Sequence, residues 1–308
     1  MSVKVFKKNN LNCVICAIAK NENAYLYEWA AYHLSLGFSY IYVYDNNDVD
    51  GERVEDVFAN TEIASKISVF DVRGKRFVQK KVYNEFYAKA CFDWCAFIDI
   101  DEFITLKKHK SILEYLSSKS SWDSVHLNWM CFGDGGKIKY ERDSVVARFV
   151  NPWDKNVFYT YIDKQENSHI KSIIKSGLDI DWTYDGDGWE SNPHTPYGEF
   201  SVCDSSGVPV VNSPFSHICY EEAYIRHYTT KTIEEYANKV LRQCADCDAQ
   251  FYSFTKFFRV NRLTLCKLIW LKRHYPQVRI WDCVKERFKY IIVNNNLPFR
   301  FLFRSLRM

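Results

Sequence analysis

The sequence predicts an α/β fold, a mainly parallel sheet flanked by helices, followed by a helical C-terminal region. Three observations carry this expectation. Over the first hundred residues the apolar pattern alternates between strand and helix periods. Polar clusters then fall where successive strands end, the edge at which open parallel sheets bind ligands. Beyond residue 230 the pattern turns helical, which divides the chain into an expected body, 1–230, and a basic, aromatic helical region, 231–308.

Each element has its own signal. Leu11–Ile18 is an apolar run of strand length, and Ala24–Leu36 carries apolar residues at helical spacing before the stop at Gly37. Tyr40–Tyr44 reads as a second strand, ending in the turn-rich Asp45-Asn46-Asn47-Asp48-Val49-Asp50-Gly51. Val54–Phe58 is a short helix, Ile67–Val72 a third strand, Val78–Cys91 a helix and Trp94–Ile98 a fourth strand. Such alternation implies parallel strands joined by crossovers. Past Ser121 the pattern becomes strand and loop, with strands expected at Ser124–Asn128, Ser144–Val150 and Ile170–Ile174. Asp179–Gly198 is a long loop rich in Asp, Gly, Trp and Pro, a length that usually marks function. Helices are expected at Ile233–Cys244, Phe251–His274 and Trp281–Val293.

Composition narrows the function classes. The 308 residues include 17% aromatics and eleven cysteines scattered through apolar stretches, which suits buried reduced thiols. No window reaches the ~18–20 apolar residues of a membrane span. The expectation is a cytoplasmic protein, peripheral on the inner face of a membrane. Net charge is only +3, but residues 256–308 hold 13 lysines and arginines against Asp282 and Glu286. The body before them is therefore acidic. Arg300, Arg304 and Arg307 interleave with Phe299, Phe301, Leu302, Phe303 and Leu306, a pattern that suits an interfacial helix on anionic lipid or a helix packed on the acidic body. An anionic membrane surface met through residues 255–308 is the expected partner there, and nucleic acid is not.

The chemistry centres on Phe97-Ile98-Asp99-Ile100-Asp101-Glu102-Phe103. Alternate carboxylates at the end of the fourth strand emerge on one side of the chain. They suit a hard divalent cation, Mn2+ or Mg2+, that keeps positions open for phosphate oxygens. His227, in Arg226-His227-Tyr228, is the candidate third metal ligand. Lys20, Glu22 and Asp45 lie at the same sheet edge, and Lys80, Lys81 and Asn84 on the helix leading to the fourth strand either face a ligand or line a solvated helix face. Cys244-Ala245-Asp246-Cys247 has zinc-like spacing, but no second pair accompanies it. Cys13 and Cys16 fall on opposite faces of one strand. No Gly-rich phosphate loop and no Gly-x-Ser-x-Gly elbow is present.

Several of these segments resemble family-2-like and family-92-like glycosyltransferases. The resemblance rests on Ala17-Ile18-Ala19-Lys20-Asn21-Glu22, Tyr27-Glu28-Trp29, His33-Leu34-Ser35-Leu36-Gly37, Tyr42-Val43-Tyr44-Asp45-Asn46-Asn47 and the acidic motif. Asn128-Trp129-Met130-Cys131-Phe132-Gly133 and His227-Tyr228-Thr229-Thr230-Lys231-Thr232 extend it, in order, to about residue 239. It implies a GT-A fold and transfer of a hexose from a uridine diphosphate sugar onto a surface-glycan or lipid-linked acceptor with inversion. Lys20, Glu22 and Asp45 would lie near the nucleotide, and Asp101, helped by Asp99, would hold manganese. The family's Glu-Asp base pair is not recognisable, so Asp134, Asp185, Asp187 and Glu190 are the candidate bases, and the turn at Asp45 departs from the usual Asp-Gly-Ser. A nucleotidyltransferase and a non-catalytic glycan- or membrane-binding module are the competing readings.

Overall fold

The structure is a computed structural model that describes residues 11–89, 91–153, 166–242, 252–285 and 287. In chain order its elements begin β1 (Cys13–Ala19), α1 (Asn23–Ser35), β2 (Tyr40–Asp45), α2 (Val54–Phe58), β3 (Ile67–Asp71), α3 (Gln79–Lys89) and β4 (Trp94–Phe97). They continue with β5 (Glu102–Leu106), α4 (Ile112–Ser118), β6 (Ser124–Cys131), α5 (Val145–Arg148), β7 (Ile170–Lys175), β8 (Val202–Cys203) and β9 (Ala223–His227). The helices α6 (Ile233–Arg242), α7 (Phe254–Val260) and α8 (Leu265–His274) follow.

Among the described residues the strands run in the order β3-β2-β1-β4-β7-β6-β9-β5, with β8 beside β6. The first four are parallel, as their crossovers require. β7 then joins β4 antiparallel, and the pairs β6–β7 and β5–β9 are antiparallel too. This is the expected fold class, a Rossmann-like mixed sheet flanked by helices, with the helical C-terminal region present. No described helix is long and apolar enough to cross a membrane.

The described residues gather into two compact units, one from residues 11–130 with 166–227, the other from 131–153 with those described from 228 onward. In the first, α1 buries Leu26, Trp29, Ala30 and His33, spaced as one helical face. α3 buries Val82, Tyr83 and Phe86 in a cluster with Val14, Cys16, Tyr42, Cys95, Phe97 and Trp182. Burial raises the Cys13, Cys16 and Cys95 thiols well above their usual pKa, so they sit as protonated core side chains. In the second unit Ile233, Tyr236, Phe257, Phe258, Trp270 and Leu271 pack together.

Several expected elements changed. Ser144–Val150 is not a strand: the Ser144 hydroxyl accepts the Ala147 N–H and starts the short helix α5. Capping overrides the β-branched pair Val145-Val146. The helix expected over Phe251–His274 is two helices, because Ser253 and Thr264 each cap a new start. β5 and β9 were not anticipated, and they carry much of the site. The long loop 179–198 contains no strand or helix, yet it is tied by reciprocal Asp181–Tyr197 and Gly186–Trp189 backbone bonds. Asp187 (φ 51°) and Gly188 (φ 82°) form the left-handed turn between the latter pair. Cys244 and Cys247, Arg300, Arg304 and Arg307 lie outside the described residues.

Candidate active site

The acidic motif is a tight turn between two strands. β4 ends at Phe97, and the Glu102 N–H donates back to the Asp99 carbonyl (3.1 Å), so β5 starts at once. The Glu102 carboxylate closes the same turn by accepting the Asp99 N–H (2.9 Å). Trp29 of α1 donates its indole N–H to the Glu102 carbonyl (2.8 Å), which fixes the turn to the helix behind it.

The two aspartates have different surroundings. Asp99 accepts from Lys171 Nζ of β7 (2.8 Å) through one carboxylate oxygen and from Gln79 Nε2 of α3 (2.9 Å) through the other. Asp101 is buried, and its Oδ1 lies 3.6 Å from His227 Nε2. Antiparallel pairing brings these together, because His227 sits opposite Glu102 in the β5–β9 register.

Lys171 is the residue the sequence reading missed. It is buried on a central strand, 2.8 Å from Asp99 and 3.7 Å from Glu102. Burial alone would lower its pKa, but Asp99 and Glu102 outweigh burial and raise it. It is therefore a fixed cation paired chiefly with Asp99. Glu102 has the opposite balance: burial raises its pKa well above the carboxylate range, and Lys171 only partly counters this. Its Oε1 is buried with no hydrogen-bond partner, which fits a carboxyl whose charge is disfavoured. A lone lysine among the isoleucines of an expected strand is the signal that was available.

Beside His227 lies an aromatic cluster. Trp129 of β6 packs against His227 (ring centroids 4.1 Å), His169 (4.6 Å) and His194 (5.2 Å). The Nδ1 atoms of His169 and His194 meet the carbonyls of Glu166 and Ile170, both at 2.8 Å, so each Nδ1 carries the proton. Burial lowers the His194 pKa well below normal, and the Lys171 charge adds to that. His194 is thus a neutral imidazole.

Asp101 and His227 fit a divalent cation in chemistry and spacing. A carboxylate oxygen and an imidazole nitrogen suit Mn2+. Neighbouring ligands of an octahedral ion, each about 2.1 Å from it, sit about 3 Å apart, close to the 3.6 Å found. Among the described residues no group of three His, Cys, Asp or Glu side chains converges for a metal. Two protein groups would leave the other positions of such an ion open. Asp99, the other expected ligand, is held by Lys171 and Gln79.

The remaining candidates divide by place. Lys20, half-buried, and buried Glu22 link β1 to α1. Asp45, buried at the end of β2, accepts the N–H groups of Asn47 and Val54, both at 3.0 Å, and so orders the turn and starts α2. Buried Asn46 and Asn47 carry that network on: Asn46 holds the Val72 and Lys75 carbonyls, and Asn47 holds Asn23 and the Glu52 carbonyl. On α3, Lys80 Nζ bonds Ser191 Oγ (2.6 Å), and Asn84 accepts the Trp182 N–H (3.1 Å). Both fasten the 179–198 segment, while exposed Lys81 stays near Glu85. Asp185, Asp187 and Glu190 are exposed on that segment, and Asp187 accepts the Tyr184 hydroxyl. Asp134 belongs to the second unit, where it pairs with buried Lys267 and its N–H bonds Asn261.

No family model matches the chain. A glycosyltransferase family 92 protein of Oryza sativa subsp. japonica is 26% identical over 152 residues, 47% of this chain and 26% of the relative. A second family 92 protein, of Arabidopsis thaliana, is 28% identical over 172 residues, 53% of this chain and 28% of the relative. The chain spans only about a quarter of the length of these curated relatives. Among solved structures, GalNAc-T7 with UDP, GalNAc and Mn2+ superposes with TM-score 0.30 and 10% identity, covering 41% of this chain and 23% of that one. HddC from Yersinia pseudotuberculosis superposes with TM-score 0.32 and 11% identity, covering 70% and 76%. Over about half its length the chain is similar to proteins named as glycosyltransferases of family 92.

Proposed function

We propose that the chain is a metal-dependent glycosyltransferase of GT-A type that moves a hexose, from a uridine diphosphate donor, to a glycan or lipid-linked acceptor with inversion. The observation that carries this reading is the juxtaposition of Asp101 and His227 at the turn where β4 gives way to β5. Similarity to family 92 glycosyltransferases supports it.

Asp101 and His227 would hold Mn2+, which when bound supplies a positive charge for the departing diphosphate. The other residues position and balance. Lys171 and Gln79 fix Asp99 in one orientation, and Lys171 offsets negative charge in a turn that also holds Asp101 and Glu102. Asp45, Asn46 and Asn47 shape the ends of β1 and β2, beside Lys20 and Glu22, into a rigid rim for the nucleotide. In the transfer step the acceptor oxygen bonds to the anomeric carbon as the bond from that carbon to the diphosphate oxygen breaks. The hydroxyl proton passes to a carboxylate, and the nucleoside diphosphate leaves. Asp185, Asp187 and Glu190 are the carboxylates offered for that proton, on a segment that Lys80 and Asn84 moor to α3.

A panel of nucleotide sugars, assayed for Mn2+-dependent hydrolysis or transfer, tests the proposal. Release of a nucleoside diphosphate that Asp101→Asn abolishes is the expected result. Pyrophosphate release would point to nucleotidyl transfer, and full activity in Asp101→Asn would remove that residue from the site.

A further inference from the structure

One surface of the second unit has no part in this chemistry. α8 is apolar on two sides. Its inward side sets Trp270 and Leu271 into the core with Phe257 and Phe258. Its outward side carries Leu265 and Ile269, 72% and 58% exposed, one helical turn apart. Exposed Lys272 and Arg273 continue that stripe at the next turn. The same unit exposes Leu241 (67%) and Trp281 (60%). Single exposed leucines are ordinary, but an aliphatic stripe on a helix whose core side is already filled is not.

Charge selects the partner. Between residues 252 and 285 there are eight lysines and arginines and one acid, Asp282. That acid is already paired with Arg279 at 3.3 Å. Arg262, Lys272, Arg273, Arg279 and Lys285 are all exposed. Basic side chains alongside aliphatic ones match a surface that is anionic outside and hydrocarbon just beneath. A nucleic-acid groove calls for aromatic faces among the cations, whereas the outward stripe of α8 beside Lys272 and Arg273 is aliphatic, at Leu265 and Ile269.

We infer that the outward face of α8, through Leu265, Ile269, Lys272 and Arg273, docks this protein on an anionic lipid bilayer. Leu265 and Ile269 enter the acyl boundary, while Lys272 and Arg273 remain with the headgroups. The inference stands apart from sugar transfer, since vesicle binding needs neither donor nor acceptor.

The test is sedimentation of the full chain with phosphatidylcholine vesicles, with and without phosphatidylglycerol. Binding is expected only to the anionic vesicles and should fall as salt rises. Lys272→Ala with Arg273→Ala should weaken partitioning about 30-fold, from about five-fold for each cation. Leu265→Glu with Ile269→Glu should abolish binding. Val208→Glu with Val211→Glu adds equal charge at exposed sites of the other unit and should reduce binding much less. All these side chains are exposed, so near-ultraviolet circular dichroism should match the parent protein. Unchanged binding in the α8 variants, or equal binding to neutral vesicles, would each overturn the inference. So would light scattering that shows a dimer which the Leu265 and Ile269 changes split, because a second copy would then be the occupant.

Discussion

Asp99 and Asp101 stand two residues apart and do different work. Asp99 is bound by Lys171 and Gln79, whereas Asp101 faces His227. Two residue-scale predictions follow from this division. His227→Ala should lower kcat by about 10²–10³-fold, the size of effect when one preorganised electrostatic group is removed, and should weaken Mn2+ binding in calorimetry. Lys171→Met should leave Asp99 and Glu102 facing each other without their cation. Asp99 is one-third exposed, so water softens the loss, and a stability decrease of about 2 kcal/mol in urea unfolding is expected. The acidic motif itself was legible, because a strand followed by spaced carboxylates is a local pattern. Lys171 was not, because its role depends on a pairing 72 residues away.

Elements show the same split between local and distant causes. β1 to β4 with their helices follow from period alone, since a parallel sheet covered on both faces writes apolar runs into the chain. β5 and β9 did not, because they pair antiparallel across a long stretch of chain, a partnership no local period records. α6 is held by a more visible device. Thr232 accepts the Glu235 N–H and Glu235 accepts the Thr232 N–H, both at 3.1 Å, a reciprocal cap. Glu235 also receives two bonds from buried Arg148, at 3.0 and 2.9 Å. Glu235→Ala should therefore remove the cap and strand a buried guanidinium. A loss of about 3–5 kcal/mol is expected, read as a drop in the denaturation midpoint. Thr232→Ala, which removes the hydroxyl cap alone, should cost about 1 kcal/mol.

At the scale of the whole molecule, acid should be a specific enemy. His33 is fully buried and neutral: its Nδ1 donates to the Trp29 carbonyl and its Nε2 accepts the Ile104 N–H. Burial lowers the pKa of His33, and likewise that of His126, to about 3. Between the unfolded value of about 6.5 and that folded value, the unfolded chain binds more protons. Stability is thus fully present above about pH 6.5 and falls with acidification by about 1.4 kcal/mol per pH unit for each such histidine. His126→Gln should shallow the slope of unfolding free energy against pH over that window. An unchanged slope would mean that His126 does not titrate with unfolding.

The position of Lys171 has a further meaning in the order of synthesis. The chain makes its parallel strands and its acidic turn first, and Lys171 emerges only later, to lie across from Asp99. Until then a turn with three carboxyl groups must wait, and β4 has an open edge where β7 will pair. The site is therefore the last feature of its unit to form. A fragment ending at residue 165 holds every parallel strand of the first half but should stay unfolded or aggregate, whereas a chain released through residue 227 has what it needs to close the sheet.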